Sequence, residues 1–219
     1  FPARAYLPRQ DVTDGVVEVA IIQATLDRTV EVDTGSARIS AGLLRDMAEG
    51  AVRPGEPVNE RNLERVLLLM NELPGVVAKA VLEPGATPGT TRLVFKVDEA
   101  RIFSGALWAD NYGNRYTGSW RGNGLLSITD PFGWGDEGTI LVSGAEGLAQ
   151  ARLSYSLPLR SGGLRGNLAD TAMPYALVAD LEALDGKGDA QTVNAWLSYP
   201  LIRRRTLSLT ATIGYDFKA

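Results

Sequence analysis

The chain has 219 residues, 45% hydrophobic and 22% charged, with a formal net charge of −4. That balance excludes a disordered chain and argues against a general nucleic-acid or anionic-membrane surface. Cysteine and histidine are both absent, which removes disulfides, thiolate nucleophiles, His-based triads and nearly all zinc sites.

No run of about 18 apolar residues exists, so no transmembrane helix is expected. A transmembrane β-barrel stays open, because its strands are short and only half apolar. The chain begins at Phe1 without a signal peptide and reads as an internal fragment or a processed product. Composition shifts near Val97 to Arg101. Residues 1–99 hold 8 of the 24 glycines and no tryptophan, with 11 Lys/Arg against 15 Asp/Glu. Residues 100–219 are neutral and hold all 4 tryptophans and 6 of the 7 tyrosines. A domain boundary is expected there.

In the first half, Val16 to Ile22 is rich in β-branched residues and follows the turn signal Thr13-Asp14-Gly15. Thr25 to Val32 reads as a second strand. Ser40 can cap a short helix through Glu49, with Leu43, Leu44 and Met47 on one face. Asn59 can cap a longer helix to Leu73, where Leu63, Val66, Leu67, Met70 and Leu73 form an apolar stripe. Pro74-Gly75 stops it. Val76 to Leu82 and Thr91 to Val97 read as strands around a Pro/Gly turn region at Glu83 to Gly89. The order from Leu26 is β-α-α-β-β. Phe1 to Ile22 reads as a hairpin, the tail of a preceding copy of the same unit.

The second half alternates at period two. Leu207, Leu209, Ala211, Ile213 and Tyr215 oppose Thr206, Ser208, Thr210, Thr212, Gly214 and Asp216. That run has the length a tilted strand needs to cross a bilayer. The pattern recurs in six more segments. They lie around Phe103 to Asp110 (with Trp108 misplaced), Trp120 to Thr129 (with Leu125 a misfit), Ile140 and Val142, Ala151 to Leu157, Leu164 to Leu168, and Val193 to Tyr199. Short turns at Asp130 to Asp136, Arg160 to Gly163 and Arg203 to Arg205 contrast with a long polar loop at Leu181 to Ala190. A soluble antiparallel sandwich and a membrane barrel both alternate in this way. Tyr155, Tyr199, Tyr215 and Trp120 at strand ends favour the barrel as an aromatic girdle. Asp130 and Asp136 flank Gly133-Trp134-Gly135 without the ligand spacing of a calcium loop and read as a turn. No Gly-x-Gly fragment opens a helix after a strand, so no nucleotide site is expected.

Three stretches carry a resemblance. Ala3-Arg4-Ala5-Tyr6-Leu7-Pro8-Arg9-Gln10-Asp11-Val12 with Asp14-Gly15 is similar to the closing hairpin of a first POTRA domain. The β-α-α-β-β unit from Leu26 to Glu99 is similar to a second. Asp110-Asn111-Tyr112-Gly113-Asn114-Arg115-Tyr116-Thr117-Gly118 is similar to the segment that joins the first two strands of a barrel. In this order they resemble the outer-membrane transporters of two-partner secretion, the TpsB group of the Omp85 superfamily. The fold this implies is an α+β POTRA domain followed by antiparallel strands of a partial transmembrane β-barrel. Residues 1–23 would be the terminal hairpin of a first POTRA domain, 24–99 the second, and 100–219 about seven barrel strands. The family has a plug helix, a full first POTRA domain and sixteen strands. By that measure this chain is a fragment and not a working transporter by itself.

The function implied is translocation of a large, unfolded partner exoprotein across the outer membrane of a Gram-negative bacterium, with the POTRA part in the periplasm. Alternatives are an Omp85-type barrel-assembly insertase, or a soluble POTRA-like binding module fused to a β-sandwich. Export of this kind needs no catalytic residue, metal, cofactor, nucleotide or nucleic acid. It needs lipid around the barrel and a receptor for the client. Capture by β-augmentation at the edge strand after the second helix is expected, with Val77, Lys79, Val81, Arg61 and Arg65 contacting the client. Arg121, Arg152 and Arg165 fall on the polar faces of three strands and are expected in the pore lumen.

Overall fold

A computed structural model describes residues 3–10, 15–23, 25–27, 30–50, 52, 56, 59–87 and 90–219; the turn expected at Thr13-Asp14 lies outside them. The chain divides into two units. One holds Phe1–Glu72, Val76–Glu99 and Arg203–Leu207, the other Leu73–Gly75, Ala100–Ile202 and Ser208–Ala219.

In the first unit, β1 (Ala3–Tyr6) and β2 (Ala20–Gln23) form an antiparallel pair. β2 begins later than the β-branched run suggested, and Val16, Val17 and Val19 are exposed. The strand expected over Thr25 to Val32 is instead two short ones, β3 (Thr25–Leu26) and β4 (Glu31–Asp33). Asp27 between them turns its carboxylate to accept from the Ala86 N–H at 2.7 Å.

Helix α1 (Ala41–Glu49) starts where Ser40 Oγ accepts from the Leu43 N–H at 3.4 Å. Helix α2 (Glu60–Asn71) starts where Asn59 Oδ1 accepts from the Arg61 N–H at 3.0 Å. Both caps satisfy amides that have no partner inside the helix. α2 ends before Leu73, and Gly75 at φ +76° makes the turn that only glycine enters freely. β5 (Val76–Pro84) and β6 (Thr90–Glu99) follow as an antiparallel pair.

β6 is the middle strand of this sheet. β5 runs along one side of it, and β3 and β4 lie parallel to it on the other. Leu93, Phe95 and Val97 of β6 are buried, as are Leu44, Met47, Val66, Leu69, Met70 and Val76 of the same unit. Burying each large apolar side chain contributes about 1.5–3 kcal/mol, and this core fixes α2 against β5.

The second unit is an antiparallel meander in chain order. It comprises β7 (Phe103–Asp110), β8 (Arg121–Thr129), β9 (Glu137–Ala145), β10 (Leu148–Pro158), β11 (Arg165–Ala176), β12 (Lys187–Arg203) and β13 (Ser208–Lys218). The seven alternating segments are these seven strands. Connections fall on two rims. The turns at 130–136, 159–164 and 204–207 lie on one. On the other, long loops at 111–120 and 177–186 bracket a tight turn at Glu146-Gly147, so short and long connectors do not separate cleanly by rim. Among the described residues, no helix is long and apolar enough to cross a membrane.

Candidate functional site

Two features stand out among the described residues: the long outer edge of β5 in the first unit and the polar sheet face in the second.

The phase of the β5 ladder is set at both ends. The Ala100 N–H donates to Gly75 O at 2.8 Å, and the Gly85 N–H donates to Thr90 O at 3.0 Å. Residues 75 and 85 face 100 and 90 in the continued register of Val76↔Glu99 and Pro84↔Thr91. Hydrogen-bonded positions alternate along an antiparallel pair. The odd residues Val77, Lys79, Val81 and Glu83 therefore bond β6 through their backbones. The even residues Val76, Ala78, Ala80 and Leu82 turn theirs to the free edge.

One even residue is already engaged. The Ala78 N–H donates to Asn71 Oδ1 at 3.0 Å, and Asn71 Nδ2 donates to Ala78 O at 2.9 Å. Asn71 Nδ2 also donates to Leu67 O at 2.8 Å. The side-chain amide thus occupies the edge as a neighbouring strand would.

Asn71 belongs to the row Leu63, Leu67, Asn71 at i, i+4 and i+8 of α2. α2 and β5 are joined by a tight turn and run antiparallel. Four helical residues advance about 6 Å and two strand residues about 6.6 Å. Leu67 therefore stands level with Ala80, and Leu63 with Leu82. Leu63, Leu67 and Ala80 are half-buried and Leu82 is 43% exposed. The sequence stripe placed Leu63 and Leu67 in the core. The buried face of α2 is instead centred on Val66, Leu69 and Met70, which leaves those two leucines on its flank.

Of the residues expected to meet a client, Val77, Lys79 and Val81 lie together on the other face of β5. Val77 and Lys79 are exposed, and Lys79 Nζ lies 3.7 Å from Asp98. Further along that face Arg92 sits between Glu83 and Glu31, and their carboxylates hold its guanidinium above even its ordinary pKa. Arg61 and Arg65 do not join the edge. At 100° per residue they stand on the opposite flank of α2 from Leu63 and Leu67.

In the second unit, registers place Arg121, Arg152 and Arg165 on one face of the sheet. Each is hydrogen-bonded there. Arg121 Nη2 lies 2.8 Å from Asp110 Oδ1, and Asp110 Oδ2 accepts from Asn123 Nδ2 at 2.9 Å. Asn123 Oδ1 accepts from Ser143 Oγ at 2.6 Å. Arg152 Nη1 donates to Thr171 Oγ1 at 3.0 Å and to Asn194 Oδ1 at 3.1 Å, and Asn194 Nδ2 donates to Asp216 Oδ1 at 2.6 Å. Arg165 Nη2 donates to Ser156 Oγ at 2.7 Å.

The two misfits are explained by the same registers. Trp108 faces Asn123, and Leu125 lies between Ala106 and Leu141. They make an apolar island on the polar face. The other face carries Leu107, Ile140, Val142, Leu153, Leu168, Leu197 and Ile213, all exposed, Leu107 to 89%.

The Asp110 to Gly118 motif builds a loop. Asp110 Oδ1 accepts from the Tyr112 N–H at 3.0 Å, and Asn114 Oδ1 accepts from the Tyr116 N–H at 2.9 Å. Gly118 has φ +106°, and a Cβ there would lie 2.7 Å from the Glu146 N. The Gly147 N–H donates to Thr117 O at 2.9 Å and the Val178 N–H to Tyr116 O at 2.8 Å, so this loop binds its two neighbours on the rim.

A meander with its polar groups paired on one face and large apolar side chains bare on the other has the pattern of a strand-built membrane protein. The model of the haemolysin secretion/activation protein family ShlB/FhaC/HecB matches residues 89–219, and the chain belongs to that family. It is 27% identical over 216 residues to the heme/hemopexin transporter protein HuxB of Haemophilus influenzae, covering 98% of this chain and 38% of that protein. It is 25% identical over 219 residues to the outer membrane transporter CdiB of Dickeya dadantii, covering 97% of this chain and 38% of that one. The solved structure of CdiB from Escherichia coli matches with a TM-score of 0.70 at 21% identity, covering 99% of this chain and 40% of that chain. The chain thus spans well under half the length of these relatives. The resemblance to two-partner secretion transporters read from the sequence is borne out.

Sequence reasoning missed Asn71 and assigned Leu63 and Leu67 to the core instead of to the flank beside the edge. The signal available was the i, i+4, i+8 row itself, with a polar residue ending an apolar pair.

Proposed function

We propose that the chain takes part in translocating a large partner exoprotein across the outer membrane. Residues 24–99 are read as a POTRA domain on the periplasmic side that captures the unfolded client, and residues 1–23 as the last hairpin of a preceding one. Residues 100–219 are read as barrel wall. The observation that carries this is the two-faced seven-stranded sheet. Its bare leucines, isoleucines and valine suit hydrocarbon, and its arginines suit water. Arg121, Arg152 and Arg165 then point into the lumen. On the lipid side each would cost about 2–4 kcal/mol near the midplane.

Capture falls to the β5 edge, where main-chain hydrogen bonds hold an extended peptide without demanding a sequence. Leu63 and Leu67 flank that edge from α2, and Val77, Lys79 and Val81 flank it from the open face. Arg61 and Arg65 stand on the far flank and take no part.

The test is a graft. Residues 1–219 replace the matched segment of a full-length family member, and release of its exoprotein into the medium is measured. Export at a level comparable to the ungrafted transporter is expected. A correctly inserted graft that leaves the exoprotein in the periplasm would overturn the reading.

A further inference from the structure

We infer that Asn71 and Pro84 cut the free edge of β5 to a fixed window, so that an incoming strand pairs with Ala80 and Leu82 and with no residue before them. This rests on the edge-capture reading above and adds a register to it.

An edge strand left open along its length lets a partner slip by two residues at a time, since each even position offers the same N–H and C=O pair. Here the positions are unequal. At Ala78 both groups are bonded to the Asn71 amide, at 3.0 and 2.9 Å. A client strand reaching Ala78 would have to expel that amide, which is also tied to Leu67 O. Pro84 offers a carbonyl but no N–H. Between them lie Ala80 and Leu82, whose outward groups have no hydrogen-bond partner among the described residues. Two donors and two acceptors remain.

The window coincides with the apolar part of the groove. Leu67 stands beside Ala80 and Leu63 beside Leu82. A strand held there lays its side chains against two leucines, and the polar amide of Asn71 closes one end. Ala80 is small, which leaves room above the strand at the centre of the window. Asn71 is therefore a positioning residue. It sets where pairing starts and leaves the choice of client to the side chains.

The experiment uses the full chain in detergent micelles and follows amide hydrogen exchange at Ala78, Ala80 and Leu82. The probe is a synthetic peptide of alternating valine and threonine, roughly eight residues long. Without peptide, Ala78 exchanges slowly and Ala80 and Leu82 exchange fast. Asn71→Ala speeds Ala78 by about tenfold, as loss of one modest hydrogen bond requires. With peptide, the unsubstituted chain gains protection at Ala80 and Leu82 only, while Asn71→Ala gains it at Ala78 as well. Asn71→Asp keeps the acceptor for the Ala78 N–H and loses both donated bonds, so it guards against a variant that merely unfolds. Its Ala78 amide stays slow with and without peptide, and the peptide still protects Ala80 and Leu82 only. If peptide slows Ala78 further in the unsubstituted chain and lengthens pairing past it, Asn71 sets no limit and the inference is overturned while edge capture stands. If peptide protects none of the three amides in any variant, edge capture itself fails and takes the window with it.

Discussion

Asp130 and Asp136 are both withdrawn from solvent, at 2% and 0% exposure, although each is a carboxylate. The turn they close accounts for it. The Asp130 N–H donates to Asp136 O at 2.7 Å, and the Gly135 N–H donates to Asp130 Oδ1 at 2.7 Å. Asp136 Oδ2 accepts from the Tyr155 hydroxyl at 2.5 Å. Asp130 takes a left-handed conformation, φ +51°, which aspartate enters at less cost than most residues. Phe132 packs against Trp134 and Tyr155, with ring centroids 5.7 and 6.5 Å apart. These carboxylates serve backbone amides and a phenol, so a structural effect is expected when one is removed. Asp136→Ala removes the partner of the part-buried Tyr155 hydroxyl and costs about 2–3 kcal/mol, because hydrogen bonds to charged groups are the stronger ones. Asp136→Asn keeps an acceptor and costs about half as much. Unfolding by denaturant from detergent micelles measures both, and equal stability of the alanine variant and the parent would contradict the assignment.

At the scale of the element, β5 allows two adjacent substitutions to separate capture from folding. The Val81 N–H bonds β6, whereas the Ala80 N–H faces the free edge. Val81→Pro removes a ladder bond and crowds the chain, with an expected cost of about 3 kcal/mol or more. Ala80→Pro removes a donor that only an incoming strand uses. It is expected to leave the fold within about 1 kcal/mol of the parent and to abolish export by a grafted transporter. Undiminished export by Ala80→Pro would sink the edge as receptor.

Nothing local in the sequence distinguishes those two positions. The strand itself was legible from its β-branched run and flanking Pro-Gly signals, as were both helix starts from Ser40 and Asn59. The phase of a ladder, by contrast, is fixed by a partner strand some fifteen residues on. The stripe on α2 misled for a related reason. Periodicity shows that Leu63 and Leu67 share an apolar flank with the core, but only packing against β5 decides whether that flank is covered. Trp108 and Leu125 broke the alternation when each strand was read alone. They make sense once register sets Trp108 beside Asn123 and Leu125 between Ala106 and Leu141.

For the whole molecule, the choice between a membrane wall and a water-soluble sandwich turns on what the bare face meets. Leu153 lies mid-strand on that face, 55% exposed, and Gln150 lies on the polar face of the same strand. In a bilayer the two positions see different solvents. Leu153→Arg puts a guanidinium into hydrocarbon and is expected to cost about 2–4 kcal/mol. Gln150→Arg exchanges one long polar side chain for another in a wet environment and is expected to cost under about 1 kcal/mol. The measurement is reversible unfolding of each variant, grafted into a full-length family member, from phospholipid vesicles. A soluble sheet with Leu153 left in water would show little difference between them. A large asymmetry that disappears when the same variants are unfolded in a detergent thin enough for water to reach Leu153 would tie the cost to the lipid and not to packing. An asymmetry that persists there would instead place a protein surface over Leu153, and the barrel-wall reading of residues 100–219 would fall.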